Sequence, residues 1–127
     1  MPKTIYDTRF LVELYYSKEE KTLSKIKAEK TRKEKHISTI TIHEIYKLTL
    51  AREGRQTAHL RTALLQADFK TMPVTTEIAK ASAELRHKYS ISMADSIIAA
   101  TAQTLKATVV SDDPHFQNIK EINTKWI

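Results

Sequence analysis

Runs of apolar and polar positions change period along this chain, and the changes mark its elements. Lys3-Thr4-Ile5-Tyr6 reads as a short first strand. Phe10, Leu11, Leu14 and Tyr15 then recur at the spacing of one helix face. Ser17-Lys18-Glu19-Glu20 has the form of a capping box, where a hydroxyl and a carboxylate three residues on satisfy helix-end amides, so a second helix is predicted there. His36 to Thr39 reads as a second strand, and Thr41-Ile42-His43-Glu44 as another box opening a helix that groups Ile42, Ile45 and Tyr46. Gly54, the only glycine, is placed to end that helix as a left-handed cap.

A fourth helix sets Leu60, Ala63, Leu64 and Ala67 on one side. Thr71 to Val74, interrupted by Pro73, reads as an edge strand or connector, because proline cannot donate to a ladder. Ile78, Ser82, Leu85 and Tyr89 predict a helix over 77–89. The small and apolar run from Ser96 to Lys106 predicts a helix buried on more than one side. Ala107 to Val110 is a buried-strand run, and 119–127 holds a last strand ending at Trp126. Strands alternating with helices across short connections predict a layered α/β fold with a mostly parallel sheet, in a single domain over residues 1–127.

Composition narrows the class. With 127 residues and 41% hydrophobic content there is enough material for one core. No apolar run is long enough for a membrane span, and the N-terminus lacks the pattern of a signal peptide, so a cytoplasmic protein is expected. Cysteine is absent, which removes disulfides and thiolate metal sites. The formal charge of +6 is concentrated between Ser17 and Lys35, where eight bases face four acids. Two readings stay open for that segment: a solvated helix laced with ion pairs, or a surface facing phosphates.

Candidate chemistry lies in the acids. Ligands of a parallel sheet bind beyond the carboxyl ends of its strands. Asp7 follows the first strand, Asp112 and Asp113 follow the strand ending at Val110, Asp95 precedes the buried helix, and Glu44 lies in the first turn after the second strand. Each also has a plainer role: Asp7 and Asp95 as N-caps, Glu44 closing a box with Thr41, and Asp112-Asp113-Pro114 as a turn. Gathered together they would repel one another unless a divalent cation compensated, and oxygen ligands suit Mg²⁺ or Mn²⁺. The scattered histidines show no zinc spacing, and none is assigned as a ligand. A single glycine leaves no phosphate-cradling loop of the nucleotide-binding kind.

Four stretches carry a resemblance to the PIN-domain family of metal-dependent ribonucleases, especially the VapC-like toxins of toxin–antitoxin pairs. They are IYDTRFLVELYY at Asp7 and Thr8, ISTITIHEIYKL at Glu44, SMADSIIAATAQTLKA at Asp95, and VVSDDPHF with Ser111, Asp113 and Phe116. The resemblance covers nearly the whole chain in the family's order. It implies a three-layer α/β/α domain that hydrolyses RNA phosphodiester bonds with Mg²⁺ or Mn²⁺. Asp7, Glu44, Asp95 and Asp113 would be the catalytic, metal-holding acids, with Thr8 and Ser111 behind them. Asp112 falls on a variable position, and His115 where many members carry a further acid. The resemblance also implies an RNA substrate, a homodimer and an antitoxin protein as partners, and no membrane. Two alternatives accompany it: an RNase of RNA processing or decay without an antitoxin, and an inactive module that binds RNA or protein. Tyr15, Tyr16, Leu23 and Ile26 are candidates for partner contacts, with packing beneath the basic helix as the alternative.

Overall fold

A computed structural model describes residues 2–127. In chain order the elements are β1 (Thr4–Tyr6), α1 (Thr8–Tyr16), α2 (Glu20–Glu29), β2 (Lys35–Ser38), α3 (Thr39–Glu53), α4 (Arg55–Asp68), β3 (Lys70–Met72), α5 (Thr76–Lys88), α6 (Met93–Leu105), β4 (Thr108–Val110), α7 (Pro114–Gln117) and β5 (Asn123–Lys125). The five strands form one sheet in the order β3-β2-β1-β4-β5, and every pairing is parallel. The first strand is therefore central, with β2 and β4 on either side. The expected mostly parallel sheet is wholly parallel, and of the two readings for the stretch before Val74 the edge strand is found, as β3, ending at Met72 just before Pro73.

Alternation along the strands builds the layers. Ile5 and Val109 face one core with Ile78, Leu85, Ile98, Phe116 and Ile119. Tyr6 and Val110 face the other, with Phe10, Leu11, Ile26, Ile37, Ile45 and Leu65. Adjacent strand residues point to opposite faces, so helices α5, α6 and α7 cover one side and α1 to α4 the other. That is the expected α/β/α arrangement. Helix α6 is buried along Ser96 to Ala102, since its small side chains let neighbours approach from several directions.

Several local expectations need correction. Ser17 opens no capping box: its N–H closes α1 onto the Glu13 carbonyl at 3.0 Å, and α2 begins only at Glu20 without a side-chain cap. Helix α3 begins at Thr39 because β2 runs straight into it. Ser38 is the N-cap, its hydroxyl accepting from the Ile40 N–H at 3.1 Å. Thr41 is thereby a buried first-turn residue, and Glu44 closes no box with it. Ser92, not Asp95, caps α6.

On α4 the expected stripe faces outward, with Leu60 62% and Leu64 54% exposed. The buried stripe is Ala58, Thr62 and Leu65, whose small members allow α4 to lie close on α3, and Thr62 satisfies its hydroxyl on the Ala58 carbonyl. Gly54 has φ 89° and joins α3 to α4, a conformation that disfavours side chains. The basic stretch is not one solvated helix. Glu29 is buried and pairs with Lys125 at 2.5 Å and Arg32 at 3.1 Å, and Lys30 meets Asp68 at 3.3 Å. Ile26 is fully buried, and Arg61 stacks over Tyr15 and Tyr16, so these residues serve packing.

Candidate active site

Three chain segments leave the carboxyl edge of the sheet side by side: β1 into α1, β2 into α3, and β4 into α7. Asp7 sits at the first exit. Its N–H bonds the Val110 carbonyl at 3.1 Å, which ties the end of β1 to the end of β4. Its side chain is nearly inaccessible, yet both oxygens are used: Oδ1 accepts from the Thr8 N–H at 2.8 Å and Oδ2 from the Ser111 hydroxyl at 2.7 Å. Asp7 is thus also the N-cap of α1. Its plainer role and its place in the acidic set coexist.

Ser111 relays the arrangement onward, its Oγ accepting from the Asp113 N–H at 3.0 Å. Asp113 caps the short α7, with Oδ1 accepting from the His115 N–H at 2.9 Å. From the second exit, Glu44 points back toward α1 and its Oε1 accepts from the Thr8 hydroxyl at 2.5 Å. Asp95, in the first turn of α6, completes the set.

The electrostatics show which acids share one place. Burial pushes Asp7 up to about 6. Hydrogen bonds from Ser111 and Thr8 oppose the rise, and the negative charges of Asp95 and Glu44 reinforce it. Asp95 is likewise raised, first by burial and then by the charges of Asp113 and Glu44. Charge repulsion thus acts among the four sequence-predicted acids, but among the described residues only Asp95 and Asp113 of the four belong to a group at cation spacing, and Asp7 and Glu44 lie outside it. Asp112 stands apart: its carboxyl is held low by Arg9.

Two nearby residues were given no ligand or binding role by the sequence reading, which assigned no histidine as a ligand. His115 brings its Nδ1 to 3.0 Å from Asp113 Oδ1, and ligand atoms of Asp95, Asp113 and His115 all lie within 4.8 Å of one another. Opposite donors around a small divalent cation are about 4–5 Å apart, so this spacing fits one ion with little movement. Donor chemistry agrees, being carboxylate oxygens and one imidazole with no thiolate. Arg9, in the first turn of α1, pairs with Asp112 through two guanidinium nitrogens and both carboxylate oxygens. The sequence signal for Arg9 was only its closeness to Asp7, whereas His115 also falls where the resemblance places a further acid.

Fold and site define an α/β protein that gathers acidic side chains beyond the carboxyl edge of a parallel sheet. The family model of the PIN domain matches residues 4–122, and the chain belongs to that family. Solved structures similar to it include proteins of toxin–antitoxin pairs. The DNA-bound VapBC of Salmonella typhimurium is 18% identical with a TM-score of 0.81, covering 99% of this chain and 98% of that one. A toxin–antitoxin complex from Klebsiella pneumoniae is 25% identical at TM-score 0.77, covering 98% and 100%. VapC20 of Mycobacterium tuberculosis, a toxin that cleaves the sarcin–ricin loop, is 18% identical at 0.71, covering 95% and 99%. By sequence, no curated protein matches the chain. Among the described residues no helix is long and apolar enough to cross a membrane.

Proposed function

We propose that this chain is a divalent-metal-dependent ribonuclease acting in the cytoplasm as the toxin of a toxin–antitoxin pair. The observation that carries the reading is the close approach of Asp95, Asp113 and His115 beyond the carboxyl edge of the sheet, beside Asp7 and Glu44, where burial first and neighbouring acidic charge second raise Asp7 and Asp95. Asp7, Glu44, Asp95 and Asp113 would hold the cation, Mg²⁺ or Mn²⁺, with Asp95 and Asp113 already at ligand spacing. When bound, it supplies a water of lowered pKa and offsets charge on the scissile phosphate.

The chain's own residues set the geometry. Thr8 orients Glu44 by donating its hydroxyl proton, and Ser111 does the same for Asp7 while also taking the Asp113 N–H. Such contacts to ligating carboxylates govern ligand direction and basicity. The substrate is single-stranded or looped RNA, cut to 5′-phosphate and 3′-hydroxyl ends. The VapBC and VapC neighbours support an antitoxin as partner and an RNA as substrate. A homodimer is the proposed assembly, and the exposed Leu60 and Leu64 of α4 offer apolar surface for a protein contact.

Purified protein incubated with mixed cellular RNA tests this. Cleavage with Mg²⁺ or Mn²⁺, absent in chelator, is expected, with products that accept a ligation requiring 5′-phosphate. Equal cleavage in excess EDTA contradicts the metal role, and RNA binding without any cleavage points to the inactive module.

A further inference from the structure

Arg9 follows Asp7 and Thr8 in the first turn of α1. Its side chain is 58% exposed, yet it forms a two-point ion pair. Nε donates to Asp112 Oδ1, and Nη2 donates to Oδ2 at 3.1 Å. This bidentate pair joins the two connections that carry Asp7 and Asp113. The guanidinium therefore stands at the rim of the acidic set, where the charges of Asp113 and Asp7 also act on it.

Stability does not account for the pair. Exposed ion pairs contribute about 0–1 kcal/mol, because water screens them and two side chains must be ordered. Binding chemistry does account for it. A nucleic-acid backbone approaching Asp7, Glu44, Asp95, Asp112 and Asp113 meets repulsion, so the rim needs a cation. Carboxylate and phosphodiester present two oxygens to a guanidinium in the same fork geometry. What Asp112 occupies is a seat a phosphate can take, and little free energy is lost in the exchange.

We propose that Arg9 is a phosphate-binding residue of this cleft, kept in a bidentate pose by Asp112 until a phosphodiester of single-stranded RNA displaces that carboxylate. The assignment rests on the ribonuclease reading and extends it to a named contact. Arg9 binds backbone and reads no base. Lysine in its place keeps the charge and loses the fork.

The test is salt-dependent binding of a fluorescein-labelled oligouridylate with Mg²⁺, in an Asp95→Asn background that prevents turnover. Arg9→Ala is expected to weaken binding about tenfold or more and to reduce the slope of log affinity against log salt by roughly 0.7, one phosphate contact. Arg9→Lys is expected to keep the slope and recover part of the affinity. In the turnover-competent protein, the loss from Arg9→Ala falls on KM rather than kcat. A melting midpoint unchanged by Arg9→Ala separates this role from a structural one. An unchanged slope and affinity in Arg9→Ala, in a protein that still cleaves RNA, overturns the Arg9 assignment alone. A parent protein that neither binds nor cleaves RNA overturns the ribonuclease reading, and Arg9's role with it.

Discussion

A carboxylate at a helix N-terminus is ordinarily stabilised in its charged form by the amides there. Asp7 departs from that rule because burial outweighs its two hydrogen bonds and the neighbouring acids add to the rise. Its folded value of about 6 lies above the unfolded 3.8. Between those pH values the folded state keeps a proton that the unfolded state releases. Metal-free stability from this group is therefore full below the lower value and is lost as pH rises through the upper one, by roughly 3 kcal/mol in all. Asp7→Asn stays neutral and should escape that loss. Metal-free Asp7→Asn is expected to melt higher than the parent at pH 7, with the difference closing near pH 4. A variant that melts lower at pH 7 contradicts the electrostatic account. Asp7 was legible in the sequence because it follows a strand end directly, and Asp113 because it falls on the acidic position of a motif that follows the strand ending at Val110. The contact of Arg9 was not, since the direction of an exposed side chain is decided here by a partner distant along the chain, Asp112, and His115 was legible only as standing where the family carries a further acid.

At the scale of elements, caps form where the preceding segment ends, and short motifs do not reveal that point. The Thr41-Ile42-His43-Glu44 pattern has the right letters, but β2 delivers the chain into α3 at Ser38, three residues before the expected start. Ser38→Ala should therefore cost about 1 kcal/mol of stability, read from the urea midpoint, while an exchange of Thr41 removes no cap. The stripe on α4 failed for a related reason. Two faces of that helix carry apolar residues, and close packing on α3 selects the face with Ala58 and Thr62 over the one with larger leucines. Glu29 shows the same dependence on tertiary context, since Lys125 comes from the far end of the chain. Glu29→Gln is expected to destabilise by about 1–2 kcal/mol, less than for a fully buried pair because Lys125 remains partly exposed. A urea midpoint unchanged by Glu29→Gln would show that the contact does not hold α2 against β5.

For the molecule as a whole, alternating strand and helix patterns made the layered α/β class legible, and the motif order along the chain made the family legible. Strand order was not written there: nothing in the three residues of β1 says that they lie between β2 and β4. That placement matters most, because it brings the exits bearing Asp7, Glu44 and Asp113 together. A cation that binds only the folded state must raise its stability by mass action. Added Mn²⁺ is accordingly expected to raise the melting temperature of the parent protein, chelator to reverse the rise, and Asp95→Asn to reduce it. A rise of equal size in Asp95→Asn would place the ion elsewhere.

The most direct measurement compares RNA cleavage by equal amounts of parent and Asp95→Asn protein in Mg²⁺ or Mn²⁺. Cleavage by the parent alone is the expected result, with the metal-free variant melting no lower than the parent because one charge has left a repelling set. Full cleavage by Asp95→Asn would contradict the account.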